Sequence, residues 1–211
     1  MTTRIWGGAA ALALTLSLAA CSAGAAPTDS GRTPDTAPVA TEQPTPTPTP
    51  TEDARDGEFG PQVTSTRGNL IKDVGQLAGL SSADGETVVA RFVVTDIVLD
   101  PACTSGYVSA PQNGHFLGIH LNVETTPELI NESYPAVSFT QYDWQAYDAE
   151  GKRLNDPNGN AYSCRDTAEE LPMSIGPGQS VSGWITLDVA ATNGIVVLAP
   201  GGSPVGWEWS Y

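Results

Sequence analysis

The sequence predicts an all-β head, an antiparallel β-sandwich of about seven short strands, carried behind a signal peptide and a long tether. Three observations predict it. From about residue 88 onward apolar residues recur at every second position, the period of a half-buried strand. Clusters such as Ala83-Asp84-Gly85, Asn155-Asp156-Pro157-Asn158-Gly159-Asn160 and Ile175-Gly176-Pro177-Gly178 separate these runs with turn chemistry. No segment of the head carries a sustained helical period.

The chain opens with Arg4 and an apolar run over Ala9 to Ala20, too short to span a bilayer as a helix and suited to a removed signal. It ends at Leu18-Ala19-Ala20-Cys21, the pattern of a bacterial lipobox, so residues 1–20 are read as a lipoprotein signal peptide and Cys21 as the lipidated N-terminus. A plain secretory signal cut at Ala-x-Ala, with Cys21 an ordinary thiol, is the alternative. Acyl chains on Cys21 would anchor the protein to the outer face of the cytoplasmic membrane. Residues 21–66 hold little to bury. Pro, Thr, Ala, Ser and acids dominate, and Pro44-Thr45-Pro46-Thr47-Pro48-Thr49-Pro50 alternates strictly. As polyproline II at about 3.1 Å per residue, its roughly 45 residues would reach on the order of 140 Å. A bare spacer and an O-glycosylated one both fit the Thr-Pro run.

Residues 67–211 form the head, enough chain for one core. Asn69 to Leu80 is irregular to extended, since Gly68, Gly75 and Gly79 weaken the helical spacing of its apolar residues. In the next run Val88, Ala90, Phe92 and Val94 share a face, then Ile97 and Leu99 continue with opposite parity. A β-bulge near Thr95-Asp96 would return both sets to one core. Leu117, Ile119, Leu121 and Val123 alternate with Gly118, His120, Asn122 and Glu124. Val137 to Tyr147 is read as a strand with Tyr142, Trp144 and Ala146 on one face. Val181, Gly183, Ile185, Leu187 and Val189 make a further alternation, before Ile195 to Leu198 and the closing Trp207-Glu208-Trp209-Ser210-Tyr211.

With Cys21 set aside, Cys103 and Cys164 are the two remaining cysteines, and in an oxidising compartment they pair as a disulfide. Closing roughly 60 residues of chain stabilises by on the order of 4 kcal/mol in the loop-entropy model. Both sit beyond strand ends, which favours a staple between loops over the disulfide that joins the two sheets of an antibody domain around a tryptophan such as Trp144. A formal charge of −15 argues against a nucleic-acid partner.

Gly114-His115-Phe116-Leu117 through Val123, Tyr147-Asp148-Ala149-Glu150-Gly151-Lys152, Gly176-Pro177-Gly178-Gln179-Ser180-Val181-Ser182-Gly183-Trp184 and Gly206-Trp207-Glu208-Trp209 span most of the head. In these stretches the chain resembles an actinobacterial group of secreted and lipid-anchored immunoglobulin-like proteins of unknown function, similar to the mycobacterial immunogenic secreted antigens. The resemblance implies an immunoglobulin-like sandwich in the cell envelope and brings no catalytic residues.

No motif of catalysis stands out. Gly178-Gln179-Ser180-Val181-Ser182 lacks the last glycine of a nucleophile elbow and precedes a strand. His115 and His120 are five positions apart and face opposite sides of a strand, which spoils a shared metal site. Asp156, Asn158 and Asn160 depart from a calcium loop through Pro157 and the missing distal glutamate. Asp148 and Glu150 are turn residues. No catalytic residue, metal or cofactor is therefore assigned. The expected function is a non-catalytic binding or interaction module whose partner is an envelope protein or wall polymer; an extracytoplasmic enzyme with a loop-built site is the alternative. Trp184 breaks the polar face formed by Ser182, Thr186 and Asp188, so it is expected to point outward as a candidate binding residue, with packing under a loop as the competing reading. Trp207 and Trp209 share a face and join it as candidates, although a terminal aromatic strand also suits the core.

Overall fold

The computed structural model describes residues 57–211. Their alternating runs form eight strands: β1 (Leu70–Ile71), β2 (Leu77–Ser81), β3 (Val88–Leu99), β4 (His115–Thr125), β5 (Trp144–Asp148), β6 (Ser180–Val189), β7 (Gly194–Leu198) and β8 (Trp207–Ser210). They make two four-stranded sheets, ordered β1-β8-β7-β5 and β2-β3-β4-β6. The pairings are antiparallel except that of β1 with β8. β4 adjoins β6 in one sheet, whereas β5, β7 and β8 are neighbours in the other. The chain therefore crosses between sheets after β1, β4, β5 and β6, as in an immunoglobulin-like sandwich.

The core is the sum of the inward parities. Leu117, Ile119, Leu121 and Val123 of β4 are each 0% exposed, and burying such side chains contributes about 1.5–3 kcal/mol apiece. The register of β3 on β4 slips between Val94 and Asp96. This is the expected bulge, and it returns Ile97 and Leu99 to the face of Phe92 and Val94. Phe92 anchors the interior, 4.9 Å from Phe139 and edge-on to Trp207 at 5.0 Å between centroids.

Two expectations change. The strand read over Val137 to Tyr147 begins only at Trp144, because Asp143 accepts hydrogen bonds from the Thr140 amide and hydroxyl and coils residues 141–143 into a 3-10 turn. Tyr142 is thereby thrown outward, 76% exposed, away from Trp144 and Ala146. Asn69 to Leu80, read as irregular to extended, holds β1 and all of β2 but its last residue, Ser81. Residues 57–66, which composition places in the tether, also touch the head. Phe59 lies against Gly79, Glu58 pairs with Arg91, and the Val63 carbonyl accepts from the Ile71 amide.

Sheet edges are where such a fold is vulnerable to pairing with other chains. Here β1 is covered through Val63 and Thr64, and β5 through Lys152, Arg153 and Leu154. β6 is covered by the segment Glu169 to Leu171 and by Pro157, whose carbonyl accepts from the Asp188 amide.

Candidate functional site

The outer face of the β2-β3-β4-β6 sheet is roofed at its β6 side by two loops, the chain between β3 and β4 and the stretch from Asp156 to Arg165. Three devices clasp them together. Cys103 and Cys164 form a disulfide, with their Cα atoms 4.5 Å apart. The Cys164 carbonyl accepts from the amides of Thr104 and Ser105. At the far end Asp188 of β6, 0% exposed, accepts from the backbone amides of Gln112 (2.6 Å), Asn113 (2.8 Å) and Asn160 (2.9 Å). A carboxylate held by three backbone N–H groups is a strong, directional anchor. Gly159 lets the loop approach it, since a β-carbon there would fall inside the Asp188 carboxylate and its φ is +38°.

Asp188 was expected on the outward polar face of its strand with Thr186, and that parity holds. The face itself is not solvent: the loops bury Thr186 and Asp188 beneath them. The residues read against a calcium loop are engaged in the same clasp. The Asp156 carboxylate accepts from the Asn158 and Gly159 amides, and the Asn160 side chain donates to the Ala110 carbonyl.

Trp184 does point outward, but it is partly buried. Its ring lies over Gly118, where a β-carbon would come within 3.3 Å of Cε3 and Cζ3, and the Arg165 guanidinium sits 4.2 Å from its centroid. Arg165 is held in turn by Glu169, which also accepts from the Thr104 hydroxyl at 2.8 Å. Trp184 thus seats the clasp through Gly118 and Arg165. His120 packs beside it at 4.9 Å and joins three strands, its Nδ1 2.6 Å from the Thr95 hydroxyl and its Nε2 3.2 Å from that of Ser182. This serine–imidazole contact lies on an open strand face. Its members line none of the larger cavities, of about 550 and 370 Å³. His115 instead meets Asp100 at 2.8 Å, on the other side of β4.

Trp209 is 1% exposed and stacks on Trp144 at 5.7 Å, and Trp207 meets Phe92. Trp209 presents no binding surface, since β8 lies between β1 and β7 and its ring fills the core, whereas Trp207 is only partly buried and also lines a cavity beside β2. Cys21 lies outside the described residues. What the clasped loops do present is Tyr107, 90% exposed, with Val108 and Tyr162, the latter 66% exposed. The Ser109 amide donates to the Ser163 hydroxyl, which brings these residues alongside one another. Sequence reading missed them because a tyrosine in a polar loop has no period to betray it. Their placement beside both cysteines was the available signal. At the rim, partial burial and secondarily Asp166 raise the Glu170 carboxyl above its ordinary value.

Fold and site together define an immunoglobulin-like β-sandwich with a disulfide-clasped loop surface. No family model and no curated protein sequence matches the chain. Among solved structures it is similar to a secreted protein from Mycobacterium tuberculosis, MPT63, at 18% identity over 68% of this chain and 98% of that one, with a TM-score of 0.45. A candidate lipoprotein (ycdA) from Bacillus subtilis is similar at 16% identity over 59% of this chain and 34% of its own, with a TM-score of 0.36. Likenesses at this level assign no activity.

Proposed function

We propose that the chain is a cell-surface lipoprotein presenting a non-catalytic binding module, held in the envelope by acyl chains on Cys21 and contacting an envelope protein or wall polymer through the clasped loops. One observation carries this reading: Tyr107 and Tyr162 are solvent-exposed on loops fixed by a disulfide and a buried carboxylate. Rigid, exposed tyrosines supply contact area at little ordering cost. The disulfide supports an oxidising compartment, and the lipobox supports attachment.

Two experiments test it. A photo-crosslinking phenylalanine analogue at position 107 should capture a partner on intact cells, whereas the same group at Ser180, exposed on β6, should not; equal capture at both positions would refute the loop surface. Cys21→Ala should release the protein from membranes or leave an unprocessed precursor, and unchanged membrane partition would refute the anchor.

A further inference from the structure

Of the four sheet edges, that of β2 alone lacks a backbone partner among the described residues. The ladder shows which groups are left free. The Val94 carbonyl of β3 faces β2 and accepts from the Gly75 amide, while the Val89 carbonyl faces β4 and accepts from the Thr126 amide. Alternation then directs Ala90 and Phe92 toward β2, where they pair with Leu80 and Ala78. The backbone groups of Leu77 and Gly79 point away from the sheet. One of them is occupied by a side chain: the Lys72 amine donates to the Leu77 carbonyl at 3.0 Å and to the Phe59 carbonyl at 2.6 Å.

Space lies along this edge. A cavity of about 310 Å³ is walled by Ala78, Gly79 and Ser81 of β2, by Leu70 and Trp207 of the opposite sheet, and by Phe59. Beyond Ser81, which lines both, a cavity of about 550 Å³ opens over Leu80, Val89, Leu129 and Val137, with Tyr134 at its mouth 73% exposed. Of the acids along this edge, Glu58 is paired with Arg91 and two others are unengaged. Glu86 lines the first cavity and Glu132 the second, and neither has a cation partner among the described residues. Lys72 is committed to its two carbonyls.

We propose that the free edge of β2 receives an extended segment of a partner polypeptide in which apolar and basic side chains alternate. Backbone pairing on the Leu77 amide and on both groups of Gly79 supplies the register. Apolar side chains enter the two cavities, and basic ones meet Glu86 and Glu132. This surface is separate from the clasped loops, so either proposal stands or falls without the other.

The test uses the purified full chain and a synthetic peptide of alternating valine and lysine. The peptide should bind and slow amide exchange at Leu77 and Gly79. N-methylation of every second residue along one peptide edge removes its donors to the edge and sets methyl groups against β2, and should weaken binding about tenfold or more. Ser81→Arg, at an exposed position beside both cavities, should weaken binding by a similar factor through like-charge repulsion. Absence of binding, equal affinity of the N-methylated peptide or of a valine–glutamate peptide, or slowed exchange confined to other strands would overturn the proposal.

Discussion

The two edges of the β2-β3-β4-β6 sheet are treated oppositely. At β6 the chain spends a disulfide, a buried carboxylate with three amide donors, and an arginine seated on a tryptophan to fasten loops over the strand. At β2 it leaves backbone groups without a strand partner and covers part of the edge with a short strap held by side chains, the Lys72 amine, the Gln76 amide and the Glu58–Arg91 ion pair. The same sheet thus has a margin built to stay closed and a margin available for pairing. Strand edges expose an aggregation hazard unless they are covered, and the peptide docking proposed above would cover this one.

The largest effect should come from cutting the clasp. Replacing Cys103 and Cys164 by serine releases a link across 61 residues of sequence and should cost about 4 kcal/mol, read as a lower urea midpoint. Loss of under a quarter of that would mean the loops are fastened by hydrogen bonds alone. Asp188→Asn comes next. It turns an amide donor toward three backbone donors and should cost about 3 kcal/mol, with faster amide exchange at Gln112, Asn113 and Asn160; unaltered exchange there would contradict the anchor. Trp184→Ala should cost about 2 kcal/mol, less than a core tryptophan because the ring is only partly buried. Partner capture through Tyr107 should fall only as far as the loops loosen. Loss of capture with stability intact would return Trp184 to the binding surface.

Most of the fold was legible because parity is a local property. The bulge between Val94 and Asp96 could be read from a change of phase among Val94, Ile97 and Leu99, and the disulfide from two leftover cysteines. The misreadings share a cause. Parity says which side of a strand a residue takes, not what covers that side. Asp188 lies on the predicted outward face and is covered by loops distant in sequence. Trp207 and Trp209 fell in a terminal strand whose neighbours, β1 and β7, no local pattern identifies. Tyr142 was displaced by a capping interaction between Thr140 and Asp143 that outweighed its alternation.

The smallest effect lies at the strap. Burial lowers the Lys72 amine below its ordinary lysine value. Between the folded and unfolded values the unfolded chain binds a proton that the folded chain has released, so this group makes stability rise with pH across that alkaline window. Lys72→Met removes the rise. The difference in urea midpoint between parent and variant should therefore widen in the parent's favour as pH increases through the window, and a constant difference would contradict it.

The contrast between the edges is tested most directly by amide hydrogen exchange in the full chain without any added peptide. The Trp184 and Asp188 amides, bonded across the β6 edge to Glu169 and Pro157, should exchange slowly, whereas the Gly79 amide on the free side of β2 should exchange orders of magnitude faster. Comparable protection at Gly79, Trp184 and Asp188 would show that the β2 edge is closed as well, and would contradict the account.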